Sequence, residues 1–164
     1  MTDNVIIERS STGWQSLPDT WPTAIRKILA ARGMQNEQDL CYPLAELPKP
    51  QALLGMDDAV SLLIQALTEN WRIMIVADFD TDGATSCAVA IRGLKAMGVS
   101  EIDYIVPNRF VHGYGLTPAL LDEIPQAGQP DLLITVDNGI SSHAGVTAAQ
   151  QRGMKVLVTD HHLP

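Results

Sequence analysis

The stretch Ile73-Met74-Ile75-Val76-Ala77-Asp78-Phe79-Asp80-Thr81-Asp82-Gly83 joins an unbroken apolar run to an acidic turn closed by glycine. Two later stretches repeat the layout. Leu132 to Val136 runs into Asp137-Asn138-Gly139, and Val156-Leu157-Val158-Thr159 runs into Asp160-His161-His162. Short apolar runs of this kind read as parallel strands buried on both faces. Parallel strands point the same way, so their C-terminal ends share one edge, and open α/β sheets bind ligands at that edge. The pattern gathers up to five carboxylates (Asp78, Asp80, Asp82, Asp137, Asp160) and the imidazoles of His161 and His162 in one crevice. So much negative charge in one place demands strong cations. The expectation is a dinuclear metal site.

Working outward, strand and helix alternate. The segment from Met56 to Glu69 has helical periodicity in Ala59, Leu62, Leu63, Ala66 and Leu67. Strands are expected at 73–77, 102–107, 132–136 and 155–159, with helices from about Gly83 to Met97, Pro118 to Glu123 and Ser141 to Arg152. Repeated βα units predict an α/β domain with a mostly parallel sheet flanked by helices. Residues 1–50 differ. Pro18, Pro22, Pro43, Pro48 and Pro50 punctuate them, Thr23 to Arg32 reads as a helix closed by Gly33, and Asn36 to Leu40 as a short second helix. They are expected to form a helical N-terminal arm packed on a main domain at 51–164.

Composition narrows the class. Hydrophobic residues make up 46% of the 164 residues, enough for a real core and against disorder. No apolar run approaches the roughly 20 residues of a membrane span, and the first residues lack the pattern of a signal peptide. Cys41 and Cys87 make no disulfide framework. The expected compartment is the cytoplasm. A net charge of −8 opposes a nucleic-acid binder, which should carry a basic face. Two divalent ions in the proposed site would neutralise four of those charges.

The individual motifs differ in weight. Residues two apart in an extended loop point the same way, so Asp78, Asp80 and Asp82 are expected to converge. An acidic turn with a capping aspartate accounts for one carboxylate, not three. A calcium loop of the EF-hand kind would need a glutamate at its twelfth position, and none is there. Asp137-Asn138-Gly139 alone would pass for a capped βα turn; its place on the same edge gives it meaning. Adjacent histidines in a strand face opposite ways, so one of His161 and His162 is expected on a given ion. The other would contact substrate or sit behind the ligands, with Asp160 orienting an imidazole. In the loop after the second strand, Arg109 can pair with phosphate, and Phe110 or Tyr114 can stack a base. A glycine-rich connecting loop with a surface arginine is the plain alternative. His143, near a helix start, reads as a local hydrogen-bonding residue. Oxygen and imidazole donors without thiolates suit Mn²⁺ or Mg²⁺. Two such ions about 4 Å apart hydrolyse phosphoesters or phosphoanhydrides.

These residues resemble the DHH phosphoesterase superfamily, whose signature matches Asp160-His161-His162, and within it the RecJ family of bacterial exonucleases. The resemblance rests on residues 78–86, 106–110, 113–116, 135–145 and 158–164, and covers the chain from about Ala59 onward. It implies a Rossmann-like DHH domain acting as a single-strand-specific 5′→3′ DNA exonuclease in repair and recombination, dependent on two Mn²⁺ or Mg²⁺ ions. It implies single-stranded DNA as partner, with a single-strand-binding protein and a helicase nearby. By motif match, Asp80, Asp82, Asp137 and His161 are the first-choice metal ligands, with Asp137 as bridge. Asp78 and His162 come next in the catalytic set. Asn108, Arg109 and His162 are the implied substrate contacts. The family also has a later metal aspartate, a second domain and an oligonucleotide-binding fold, none of them in these 164 residues. With Pro164 directly after a fourth strand, the chain reads as a fragment whose DNA-gripping basic surface lies elsewhere.

Rival readings remain. Another DHH-type phosphoesterase would act on oligonucleotides, cyclic dinucleotides or pyrophosphate. A HAD-type phosphatase or a receiver-like domain would cluster aspartates at strand ends too, but each needs a later lysine and neither predicts paired histidines. A non-catalytic DHH binding module is disfavoured by the filled ligand positions.

Overall fold

The computed structural model describes residues 12–163; the first eleven residues of the expected arm, and Pro164, lie outside them. The chain divides into two compact units, one ending at Ala52 and the other beginning at Leu53. In the first, helix α1 spans Thr23–Ala31 and is entered from Pro22, whose missing N–H costs nothing at a helix start. A 3₁₀ turn at Glu37–Leu40 is held by a reciprocal cap. The Asn36 side chain accepts from Gln38 N–H while Asp39 accepts from Asn36 N–H. The Arg26 guanidinium stacks over the Trp14 ring at 5.0 Å.

The second unit carries the chemistry. Helix α2 (Met56–Thr68) is followed by β1 (Ile73–Ala77), α3 (Thr81–Ala96), β2 (Ile102–Ile105), α4 (Pro118–Asp122), β3 (Leu132–Val136), α5 (His143–Gln151) and β4 (Lys155–Thr159). The four strands form one sheet in the order β2-β1-β3-β4, and every pairing is parallel. The predicted α/β architecture is therefore the observed one. Strand β2 is shorter than expected. Pro107 has no N–H to donate and restricts Val106, so the ladder stops at Ile105.

Both faces of the sheet are covered, as the apolar runs required. Ile73, Ile75, Ala77, Leu132, Ile134 and Val136 pack with Leu62, Leu63, Cys87 and Leu94 on the side of α2 and α3. Val76 and Leu133 face the other way, against Leu116, Leu120, Leu121 and Ala149 on the side of α4 and α5. Ile73, Ile75, Val76, Leu132 and Leu133 are fully buried. Each such aliphatic side chain contributes about 1.5–3 kcal/mol on burial. The connection from β1 leads to β2 on one side, while β3 lies on the other. The order of the strands reverses between β1 and β3, where doubly wound sheets open a crevice. Asp78 and Asp137 are the first residues beyond these two strands.

Candidate metal centre

The main chain continues past each strand far enough to fix the acids. Asp78 N–H donates to the Val136 carbonyl at 3.4 Å, and Asp137 N–H to the Thr159 carbonyl at 3.0 Å. Between them, the buried Asn138 amide donates to the carbonyls of Val76 and Val136, both at 2.9 Å. This clamp ties the end of β1 to the end of β3. Asp137 has φ 63, a left-handed conformation that costs a non-glycine residue about 1–3 kcal/mol and persists only where its surroundings enforce it. The bonds on either side of Asp137 supply that enforcement.

Asp80 plays a part that the period-two reading did not foresee. Its carboxylate caps α3, accepting from Asp82 N–H at 3.0 Å and Gly83 N–H at 3.1 Å. The helix therefore starts at Thr81, two residues before the expected position. The alternation of an extended loop ends at Asp80, and Asp82 is carried around the first helical turn instead.

Two donor sets converge on the sheet edge. Asp78, Asp80 and Asp137 form one and Asp137, His161 and His162 the other; within each set the donor atoms lie within 4.8 Å of one another. Asp137 belongs to both. Asp78 and Asp137 are buried, while Asp80, His161 and His162 are exposed. Asp82 falls in neither set, and His143, exposed at the start of α5, is also outside them. Of the expected first-choice ligands, Asp80, Asp137 and His161 are thus brought together with Asp78 and His162.

The two histidines share a site because they follow β4 and are not part of it. Their rings are 4.7 Å apart with a 38° tilt, so strand alternation does not separate them. His161 Nε2 lies 3.0 Å from Asp137 Oδ1. His162 Nδ1 lies 2.7 Å from Asp160 Oδ1, and Asp160 Oδ2 accepts from Ile140 N–H at 2.9 Å. Asp160 therefore orients His162, and the Nε2 atom of that ring has no hydrogen-bond partner among the described residues. Tyr114 joins the group from the loop after β2. Its hydroxyl donates to the Asp137 carbonyl at 3.2 Å, and its ring meets the edges of Phe79 and His162 at centroid distances of 6.3 and 6.1 Å.

The electrostatics call for cations. Burial and the Asp80 charge push the Asp137 carboxyl above its usual range, against the pull of His161 and His162. Burial, followed by the charges of Asp78, Asp160, Asp137 and Asp80, pushes the Tyr114 phenol up to about 12. The Asp160 hydrogen bond raises His162. Burial alone would raise Asp160, but the amides of His162 and Ile140 and the imidazole outweigh it and hold the carboxyl low. Three carboxylates brought together, with the ionised form of one disfavoured by burial and by a like charge, suit a cation. Oxygen and imidazole donors at these spacings fit divalent manganese or magnesium.

A cavity of about 430 Å³ opens beside the acids, walled by Asp78, Phe79, Asp80, Arg109, Tyr114 and His162. Arg109 stacks over Phe79 at 4.5 Å. A cation therefore lines the same cavity as the clustered carboxylates. Phe110 is 93% exposed and free to stack, whereas Tyr114 is engaged by its hydroxyl. Sequence reasoning missed the Asn138 clamp; an asparagine after a strand carries no signal of which carbonyls it will reach.

Comparison with known proteins agrees with this geometry. The model of the DHH family, N-terminal domain, matches residues 72–164. The single-stranded-DNA-specific exonuclease RecJ of Dickeya dadantii is 48% identical over 158 residues, covering 96% of this chain and 27% of that protein. The RecJ of Escherichia coli is 47% identical over 148 residues, covering 90% and 26%. The chain thus spans about a quarter of the length of these curated relatives. A crystal structure of exonuclease RecJ bound to manganese superposes with a TM-score of 0.62 at 40% identity, over 74% of this chain and 30% of that one. RecJ from Thermus thermophilus in complex with Mn²⁺ superposes with a TM-score of 0.56 at 31% identity, over 93% and 21%. With more than half its length matched, and the acidic edge and paired histidines within the match, this chain belongs to the DHH family.

Proposed function

We propose that this chain is the metal-binding part of a phosphodiesterase that removes nucleotides from the 5′ end of single-stranded DNA. One observation carries the reading: two donor sets share the single carboxylate of Asp137. A shared carboxylate is the arrangement of a bridged two-ion site. The RecJ relatives, at up to 48% identity, support the substrate.

Asp78, Asp80 and Asp137 would hold one ion, and Asp137 and His161 the other, with Asp82, in the first turn of α3, completing the set of ligands. Two such ions, when bound, lower the barrier to water attack and stabilise the leaving oxygen of a phosphodiester. The residues of the chain do the rest. Asp160 holds the Nδ1 side of His162, so that Nε2 meets a phosphate oxygen. Arg109, backed by the Phe79 ring, neutralises and orients the phosphate, and Asn108 stands beside it. Asn138 keeps Asp137 in the left-handed conformation that turns its carboxylate between the two donor sets.

The same reading includes residues 1–50 as an N-terminal arm, work in repair and recombination in the cytoplasm, and single-strand-binding protein and a helicase as partners. No helix among the described residues is long and apolar enough to cross a membrane.

The test is a transplant. The chain would replace the matching segment of the Dickeya dadantii relative, and the chimera would be assayed on 5′-labelled DNA with Mn²⁺. Release of mononucleotides from single strands but not from blunt duplex is expected, and the 164-residue chain alone should be inactive or barely active. A folded, inert chimera beside an active relative would overturn the assignment. Robust release by the chain alone would show that the site needs nothing more.

A further inference from the structure

We propose that His112 is the positioning residue that aims Arg109 at the substrate phosphate. The proposal rests on the phosphate-binding role of Arg109 put forward above. His112 lies in neither metal-donor set. Its side chain is only 11% exposed.

The loop that carries Arg109 is organised around Asn108. Phe110 N–H donates to Asn108 Oδ1 at 3.0 Å. Val111 N–H and His112 N–H donate to the Asn108 carbonyl at 2.9 and 2.8 Å. The Asn108 N–H has no strand partner, because β2 ends at Ile105. It donates instead to His112 Nδ1 at 3.1 Å. That bond settles the state of the ring. An amide donor needs a bare acceptor, so Nδ1 carries no proton and Nε2 carries it. Nε2 is buried, without a closer partner, and lies 3.5 Å from Glu123 Oε1.

The His112 main chain is in turn fixed to a rigid frame. The His112 carbonyl accepts from Thr117 Oγ1 at 3.1 Å, and the same oxygen caps α4 through Leu120 N–H at 3.2 Å. Glu123 follows the other end of α4. Leu120 and Leu121 of that helix are fully buried. The chain of contacts therefore runs from core, to α4, to Thr117, to the His112 main chain, and the His112 imidazole accepts from the Asn108 amide. Arg109, next in the chain, takes part in no ion pair among the described residues and has only the Phe79 ring under it. An exposed arginine on a loose loop would have to be ordered each time substrate bound, and preorganisation removes that cost.

Four variants of the chimera that carries this chain test the assignment: His112→Leu, His112→Asn, Arg109→Ala, and the Leu and Ala changes combined. The probe is a dye-labelled, 5′-phosphorylated phosphorothioate oligothymidylate in Mn²⁺, which resists cleavage. His112→Leu is expected to weaken binding about tenfold, the worth of one charge-assisted hydrogen bond, and to flatten the salt dependence by about one phosphate. The double variant should bind no worse than Arg109→Ala, since both remove one interaction. His112→Asn puts an acceptor oxygen where Nδ1 stood and should restore binding. Additive losses, wild-type binding by His112→Leu, or no rescue by asparagine would each overturn the proposal. Nuclear magnetic resonance reads the same contact without DNA. The ring should be in the Nε2–H form, and exchange protection at Asn108 N–H should fall in His112→Leu while that of Leu133 holds. An unprotected Asn108 amide in the unaltered chain overturns the positioning role. Failure of the unaltered chimera to bind the probe, with the amide protected, overturns the substrate reading on which the proposal rests, whereas loss of the amide protection in the unaltered protein overturns the proposal itself.

Discussion

Gly83, in the first turn of α3, lies directly against the main chain of Asp78 at the end of β1. A methyl group built on Gly83 would fall 2.5 Å from the Asp78 carbonyl oxygen and 2.6 Å from its carbonyl carbon and Cβ. All three atoms belong to rigid backbone or to the root of a buried side chain, so nothing can swing aside.

Gly83→Ala is therefore expected to push α3 away from β1 and to take Asp78 out of reach of Asp80 and Asp137. The cost is the overpacking range of about 1–3 kcal/mol. Mn²⁺ affinity should fall at least about tenfold, the cost of roughly one lost ligand contact. Calorimetric titration with Mn²⁺ and thermal unfolding check this. An alanine variant that binds Mn²⁺ like the unaltered chain would show that the close approach does not position the acid.

Asp137→Ala and Asp137→Asn should abolish Mn²⁺ binding, since the shared donor of both sets is lost. The fold should survive. The ionised carboxylate is strained in the metal-free chain by burial and by Asp80, and its removal offsets the lost contacts. The asparagine variant should be the more stable of the two, because asparagine tolerates φ 63 better than alanine. Undiminished titration heats in either variant would refute the bridging role.

Arg109→Ala should weaken binding of single-stranded DNA by a protein carrying this segment and reduce its salt dependence by roughly one phosphate. Fluorescence anisotropy at several salt concentrations measures both. An unchanged slope would make Arg109 a structural partner of Phe79.

The His162–Asp160 pair predicts a pH window. His162 is raised by its hydrogen bond to Asp160. Its contribution is complete below the unfolded imidazole value of about 6.5 and is lost as pH climbs through the raised folded value. Asp160 is held low. Its contribution is present above the unfolded carboxylate value of about 3.9 and is lost as pH falls through the lowered folded one. The pair is thus strongest between those limits. In the metal-free chain, the His162 ring should titrate above about 6.5 by nuclear magnetic resonance, and Asp160→Asn should lower it, with Asp137 and Asp78 still pulling it up. Identical titration curves for the two proteins would mean that the 2.7 Å contact is not formed in solution.

Local chemistry alone determined the sheet and its acidic edge. Runs such as Leu132 to Val136 are apolar at nearly every position, and only a strand covered on both faces accommodates that. An aspartate directly after such a run must emerge at the C-terminal edge, whatever the rest of the fold does. Sequence spacing did not determine which carboxylates meet. Asp80 and Asp82 differ by two positions, but the cap made by Asp80 starts the helix between them, and only Asp80 joins a close donor set. The sharing of Asp137 between two donor sets needed β1, β3 and β4 side by side, the Asn138 clamp across two of them, and a left-handed backbone at Asp137 itself. The role of His112 likewise arises only where a loop amide, left without a strand partner, finds an imidazole four residues on. Hydrophobic patterning acts through neighbours in the chain and can be read along it. Side-chain convergence depends on contacts between residues dozens of positions apart, and only the packed tertiary structure decides it.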